Sequence, residues 1–208
     1  MDKNFSVIIK GVGGQGIVTL VAIIDQAAFL DGYDVRSSEL HGLSQREGSV
    51  EAHVKFGKKV YSPLVYKGQA DLIIGQELLE GLRSVALAGA QTKFLINTFF
   101  SPFIGSIKEQ EILDELNKLS RLQSNRGSSM PTKSASGPKD KLILVPASKV
   151  CLEKLGKEVV SSIYLLGYAV GKKIMPLKKE SALRAIKNII PEKYQEININ
   201  AFELGYGN

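Results

Sequence analysis

A glycine cluster set between a short apolar run and an apolar-periodic segment constrains this chain more than any other stretch. Val7, Ile8 and Ile9 are apolar and β-branched, the run breaks at Gly11-Val12-Gly13-Gly14-Gln15-Gly16, and residues 17–28 follow with helical apolar spacing. The order reads as strand, tight turn, helix. Gly11, Gly13 and Gly16 keep the G-x-G-x-x-G spacing, with Gly14 as an extra glycine. In that pattern the glycines serve a sharp turn, close approach of backbone to a ligand, and helix–strand packing. The helix they open aims free N–H groups and a positive dipole end at whatever sits there, and a phosphate suits it. Gly11, Gly13, Gly14, Gln15 and Gly16 are therefore the candidate cofactor-binding residues. A tight turn that only packs remains the alternative.

The pattern beyond the first helix predicts an α/β fold. Residues 33–37 read as a second strand, followed by a dense polar loop over 38–49. Residues 50–56 alternate apolar and polar, which is a half-buried strand. Gly57-Lys58-Lys59 is expected to turn it into a partner strand at Val60-Tyr61-Ser62, an antiparallel hairpin. Strands over 70–74, 94–98 and 141–146 alternate with helices over 77–88 and 108–122. Residues 123–140 are rich in Ser, Gly, Pro and Lys and read as a flexible insertion. The last third is expected to be helical: a short helix capped by Ser148 and ending at Gly156, then helices over 158–174, 178–190 and 192–204. The expectation is one domain over 1–208, three-layered, with a mixed, mostly parallel sheet and an antiparallel hairpin.

Composition excludes several classes. With 208 residues, 44% hydrophobic, the chain can bury a proper core, and no apolar run is long enough to span a bilayer. The first five residues are polar and lead straight into a strand, so no signal peptide is expected. A single cysteine, Cys151, excludes an internal disulfide framework, suits a cytoplasmic setting and cannot hold an iron–sulfur cluster alone. The net charge of +6 lies largely near the C-terminus without interleaved aromatics, which argues for a solvated helix face and against nucleic acid.

Candidate chemistry is sparse. His41 and His53 are the only histidines, so no convincing metal set exists. His53 falls on the polar phase of its alternating strand and is expected to face outward. His41 lies close to Glu39 and Arg46, and a histidine beside a carboxylate can act as acid or base, or simply structure its loop. Glu39 also sits roughly where a Rossmann unit places the acidic residue that holds a ribose. Neither G-x-S-x-G nor a Walker lysine is present. A free-standing NAD(P)-binding module and a non-catalytic assembly subunit both remain open on these residues.

The sequence Gly11-Val12-Gly13-Gly14-Gln15-Gly16, then residues 38–46, then Gly48-Ser49-Val50, closely resembles the gamma-type subunit of 2-oxoacid:ferredoxin oxidoreductases. Within that family, Glu39, His41, Gly42, Gln45 and Arg46 are most similar to the beta subunit of indolepyruvate oxidoreductases. The likeness extends to Tyr61-Ser62-Pro63-Leu64, Ala70-Asp71-Leu72, Val145-Pro146-Ala147, Leu165-Leu166-Gly167 and the closing residues 200–205. Three departures stand out: Glu47 in place of a glycine, Ser162 in place of an asparagine, and the long 123–140 stretch. The resemblance implies oxidative decarboxylation of a 2-oxoacid, indolepyruvate or another aryl pyruvate, to an acyl-coenzyme A, with electrons passing to ferredoxin. A pyruvate or 2-oxoglutarate enzyme of the same family is the neighbouring alternative. It implies thiamine diphosphate and iron–sulfur clusters on a catalytic partner subunit, and an accessory share for this chain that includes handling coenzyme A. Glu39, His41 and Arg46 are the candidates for any catalytic part, and the loop 39–47 is expected to face the partner.

Overall fold

The structure, a computed structural model, describes residues 3–41, 48–102, 107–125 and 141–208, with His41 and residues 119–125 described by backbone alone. The run that reads as a strand from its β-branched residues is β1 (Phe5–Val12), and it lies inside a six-stranded sheet. The order is β2 (Asp34–His41), β3 (Ser49–Gly57), β1, β4 (Leu72–Gly75), β5 (Lys93–Asn97), β6 (Leu142–Val145). β1, β4, β5 and β6 run parallel, whereas β3 pairs antiparallel with both β1 and β2. The sheet is mixed and mostly parallel, as expected.

Alternation along the central strands divides the apolar side chains between two cores. Val7, Ile9, Leu72, Ile74 and Leu95 pack under α1 (Ile17–Leu30), α4 (Ala147–Leu155), α5 (Ser161–Gly171), α6 (Lys179–Ile189) and α7 (Glu192–Tyr206). Ile8, Ile73, Phe94 and Ile96 pack under α2 (Leu78–Ser84) and α3 (Glu109–Asn125), the latter through Ile112 and Leu116. α5 and α7 meet through glycine: a Cβ at Gly167 would strike the Phe202 carbonyl oxygen, and one at Gly205 would strike that of Tyr164.

Several boundaries differ from the sequence reading. Residues 60–62 form no strand, because β3 already has β1 on one edge and β2 on the other and offers no third edge. The antiparallel pairing expected of them is made by β2 instead. That strand continues past Ser37 to His41, so residues 38–41 are strand and not loop, while the predicted loop's residues 42–47 lie outside the described ones. Of the predicted insertion, residues 123–125 belong to α3 and 126–140 lie outside the described residues. Pro146, not Ser148, precedes the first turn of α4; the Ser148 hydroxyl instead accepts from Asn97 Nδ2 at 2.9 Å. Gly156 ends α4 in the left-handed conformation, as a C-terminal glycine does. The helix expected over 158–174 is a 3-10 turn followed by α5.

Candidate functional site

In an open α/β sheet a ligand crevice forms at the carboxyl ends of neighbouring strands whose connections leave in opposite directions. Here those strands are β1, which leads to α1 on one face, and β4, which leads to α2 on the other. A cleft of about 360 Å³ opens there, lined by Val12, Gly13 and Gln15 from the glycine loop, Ser49, Glu77, Glu80, Arg83 and Phe99 among others.

The glycine loop divides its work. Gly11 is a packing residue, since a Cβ there would collide with Gln76, Gln15 and Ile17. Gln15 locks the turn, its Oε1 accepting from Val12 N at 2.8 Å. The Gly13 N–H donates to Gly48 O at 3.0 Å, tying the loop to the start of β3. Gly16 precedes α1 in the left-handed region (φ 75°), and Gly14 (φ 95°) faces open space. Among the described residues the amides of Gly14, Gly16, Ile17 and Val18 donate to no carbonyl, so they are the groups left for an anion. Beneath the loop, Gln76 is 1% exposed and its side-chain amide has no hydrogen-bond partner among the described residues.

A polar chain that the sequence reading missed runs from the cleft across the sheet. Glu80, 2% exposed, accepts from Ser49 Oγ at 2.6 Å and from Arg83, with Lys10 Nζ at 3.9 Å. Lys10 Nζ also lies 3.2 Å from Glu51, whose other oxygen meets His53 Nε2 at 2.9 Å. His53 Nδ1 accepts from Val65 N at 3.0 Å, so a neutral ring with its hydrogen on Nε2 satisfies both contacts. The His53 bond, then Lys10, holds the Glu51 carboxyl below its ordinary range against the opposing effect of burial. Glu77 closes the start of α2, accepting from Glu80 N at 2.8 Å. The signal for this capping lay in Glu77-Leu78-Leu79-Glu80, an acidic pair three apart at a helix start.

His53 is thus buried, not outward-facing: residues 58–69 cover the polar face of β3 and use its imidazole as an anchor. Glu39 stands on β2, separated from β1 by β3 and hence by about 10 Å of sheet, too far for the ribose role of a Rossmann acid. It lies near Asp25, whose carboxyl is raised by burial and further by the Glu39 charge, against a hydrogen bond from Ser37. The His41 side chain and Arg46 lie outside the described residues. Burial pushes the Cys151 thiol up to about 11, which makes it inert. Among the described residues no group of three His, Cys, Asp or Glu side chains could hold a metal, and no helix is long and apolar enough to cross a membrane.

Residues 6–207 match the family described as pyruvate ferredoxin/flavodoxin oxidoreductase. The chain is 32% identical over 206 residues to indolepyruvate oxidoreductase subunit IorB of Thermococcus kodakarensis, covering 98% of this chain and 95% of that one. It is 28% identical to the pyruvate/ketoisovalerate oxidoreductases common subunit gamma of Pyrococcus furiosus, covering 94% and 92%. Its fold matches the keto/oxoacid ferredoxin oxidoreductase gamma subunit of Geobacter sulfurreducens with a TM-score of 0.68 at 20% identity, over 98% and 96% of the two chains.

Proposed function

The chain belongs to the pyruvate ferredoxin/flavodoxin oxidoreductase family as a subunit of a 2-oxoacid:ferredoxin oxidoreductase, and from that premise we propose that its complex oxidises an aryl 2-oxoacid, indolepyruvate first, to the acyl-coenzyme A. The observation that carries this reading is the higher identity, over nearly the whole chain, to a subunit of an indolepyruvate enzyme than to a gamma subunit of pyruvate and ketoisovalerate enzymes.

Thiamine diphosphate and the iron–sulfur clusters belong to the catalytic partner in this reading, which agrees with a single, buried cysteine here. The share of this chain is to complete the complex and to hold a phosphate of coenzyme A at the glycine loop. Free amides at Gly14, Gly16, Ile17 and Val18, the dipole of α1 and the open space above Gly14 support that role. Coenzyme A supplies the thiol that accepts the acyl group. In the neighbouring cleft Arg83 already pairs with Glu80, so the phosphate is held by backbone and the affinity is modest.

The test is turnover of the co-expressed complex, followed by viologen reduction with coenzyme A and indolepyruvate, phenylpyruvate, pyruvate or 2-oxoisovalerate. A kcat/KM for indolepyruvate at least tenfold above that for pyruvate is expected; the reverse preference overturns the substrate reading. This chain purified by itself should reduce no dye with any of the four.

A further inference from the structure

Residues 58–69 form a loop without strand or helix, yet it is held in one shape along its length. The Val60 amide donates to Asp34 Oδ2 at 2.9 Å, Val65 to His53, and Gly68 to Leu87 O at 2.8 Å, while Val60 and Val65 are buried beneath it. Anchored from inside, the loop turns its other side chains out: Tyr61 is 83% exposed, Tyr66 65% and Leu64 43%.

The charge around these side chains has one sign. Residues 52–70 contain no Asp or Glu, and they carry Lys55, Lys58, Lys59 and Lys67. Among the described residues none of these four lysines pairs with a carboxylate; the neighbouring acids are engaged elsewhere, Asp34 by Arg36 and Asp71 by Lys3. Lys59 lies over the Tyr61 ring at 5.0 Å and Lys55 over that of Tyr66 at 5.9 Å.

We propose that residues 58–69, with Lys55, form an interaction surface that seats an acidic face of the catalytic partner subunit. Exposed tyrosines on a preformed backbone lose little entropy on docking, and unpaired lysines steer an acidic surface toward them. A protein suits the surface better than a nucleic acid, because a lysine already covers one face of each ring that a base would stack on, and the exposed Leu64 offers apolar surface beside them in the same loop. The partner's identity follows from continuity: the chain Val65–His53–Glu51–Lys10–Glu80 ties this loop to the cleft where the glycine loop would meet the partner's reacting groups. The inference rests on membership of the complex, not on which 2-oxoacid it takes.

The experiment measures assembly of this subunit with its purified catalytic partner by interferometry at 50 and 300 mM salt, for wild type, Lys58→Glu/Lys59→Glu/Lys67→Glu, the matching triple Lys→Arg variant, and Tyr61→Ala. All four positions are exposed, and thermal melts establish that the variants fold. Charge reversal should weaken assembly by about tenfold or more at low salt and flatten its salt dependence, with the arginine variant near wild type. Tyr61→Ala should weaken assembly at both salts. Unchanged assembly and salt dependence in the reversed variant overturns the proposal. So does intact assembly together with lost binding to a single-stranded oligonucleotide or to vesicles containing phosphatidylserine. Should the wild-type complex assemble but turn over only pyruvate, the substrate reading fails and the docking surface stands.

Discussion

His53 Nδ1 accepts the backbone N–H of Val65 at 3.0 Å, and through that one bond a buried strand residue fixes the middle of a long surface loop. The other ring nitrogen meets Glu51. His53→Ala should leave a buried amide and a part-buried carboxylate without this partner and lower stability by about 1–3 kcal/mol. His53→Asn places an oxygen near the Nδ1 position, so it should retain part of the Val65 amide's protection from hydrogen exchange while losing the Glu51 contact. Protection kept at the wild-type level in both variants would show that the loop is held by Val60 and Gly68 instead.

Two carboxylates should give stability profiles of opposite slope. Glu51 is held low by His53 and Lys10, so its contribution is present above the unfolded value of about 4.3 and is lost as pH falls through the lower folded value. Glu51→Gln should therefore be less stable than wild type at pH 7, with the gap closing below about pH 4. Asp25 is raised by burial and by Glu39, so it costs stability once pH rises above the unfolded value of about 3.9, and fully so above its folded value. Asp25→Asn should melt higher than wild type at pH 7–8, by about 2–4 °C for each kcal/mol gained, and that advantage should vanish toward pH 3. Urea melts across pH 3–8 check both signs.

The legible parts of the fold were those written locally. Short apolar runs marked β1, β4 and β5, the glycine cluster marked the turn into α1, and Gly156 marked the end of α4. What sequence could not supply was which strand lies beside which. Alternation in residues 50–56 is the same whether the polar face meets water or a covering loop, so His53 read as exposed when Val60 and Val65 in fact carry the chain back over it. The insertion of β3 between β1 and β2 is equally invisible to spacing along the chain, and it is what removes Glu39 from the glycine loop. The carboxylates of the cleft were missed because Lys10, Glu51 and Glu80 are far apart in sequence and meet only through the sheet.

Helix α5 crosses α7 at a distance that only glycine permits. Gly167→Ala and Gly205→Ala each push a methyl group against a backbone carbonyl, which cannot rotate away as a side chain would. Each should destabilise by about 1–3 kcal/mol, at the upper end because backbone must move. Neither glycine has a left-handed φ, so strain in the backbone angle does not contribute. A melt within 1 °C of wild type for either variant would mean that the helices can separate freely.

The proposed phosphate role of the glycine loop is separable from its role as a turn, because two glycines have a left-handed φ in two places. Gly14 (φ 95°) sits in the loop and Gly32 (φ 83°) follows α1 at its far end; a Cβ on either meets nothing within 4 Å. Replacing either with alanine forces the left-handed region on a residue that avoids it, at a cost of about 1–2 kcal/mol. Gly14→Ala and Gly32→Ala should thus lose similar stability. Only Gly14→Ala puts a methyl group into the open space of the glycine loop, so only it should raise the KM for coenzyme A in the assembled complex, by about tenfold or more, with the KM for the 2-oxoacid unchanged. If both variants leave coenzyme A kinetics alike, the loop's free amides face water in the working complex, and the glycines serve the turn and its packing alone.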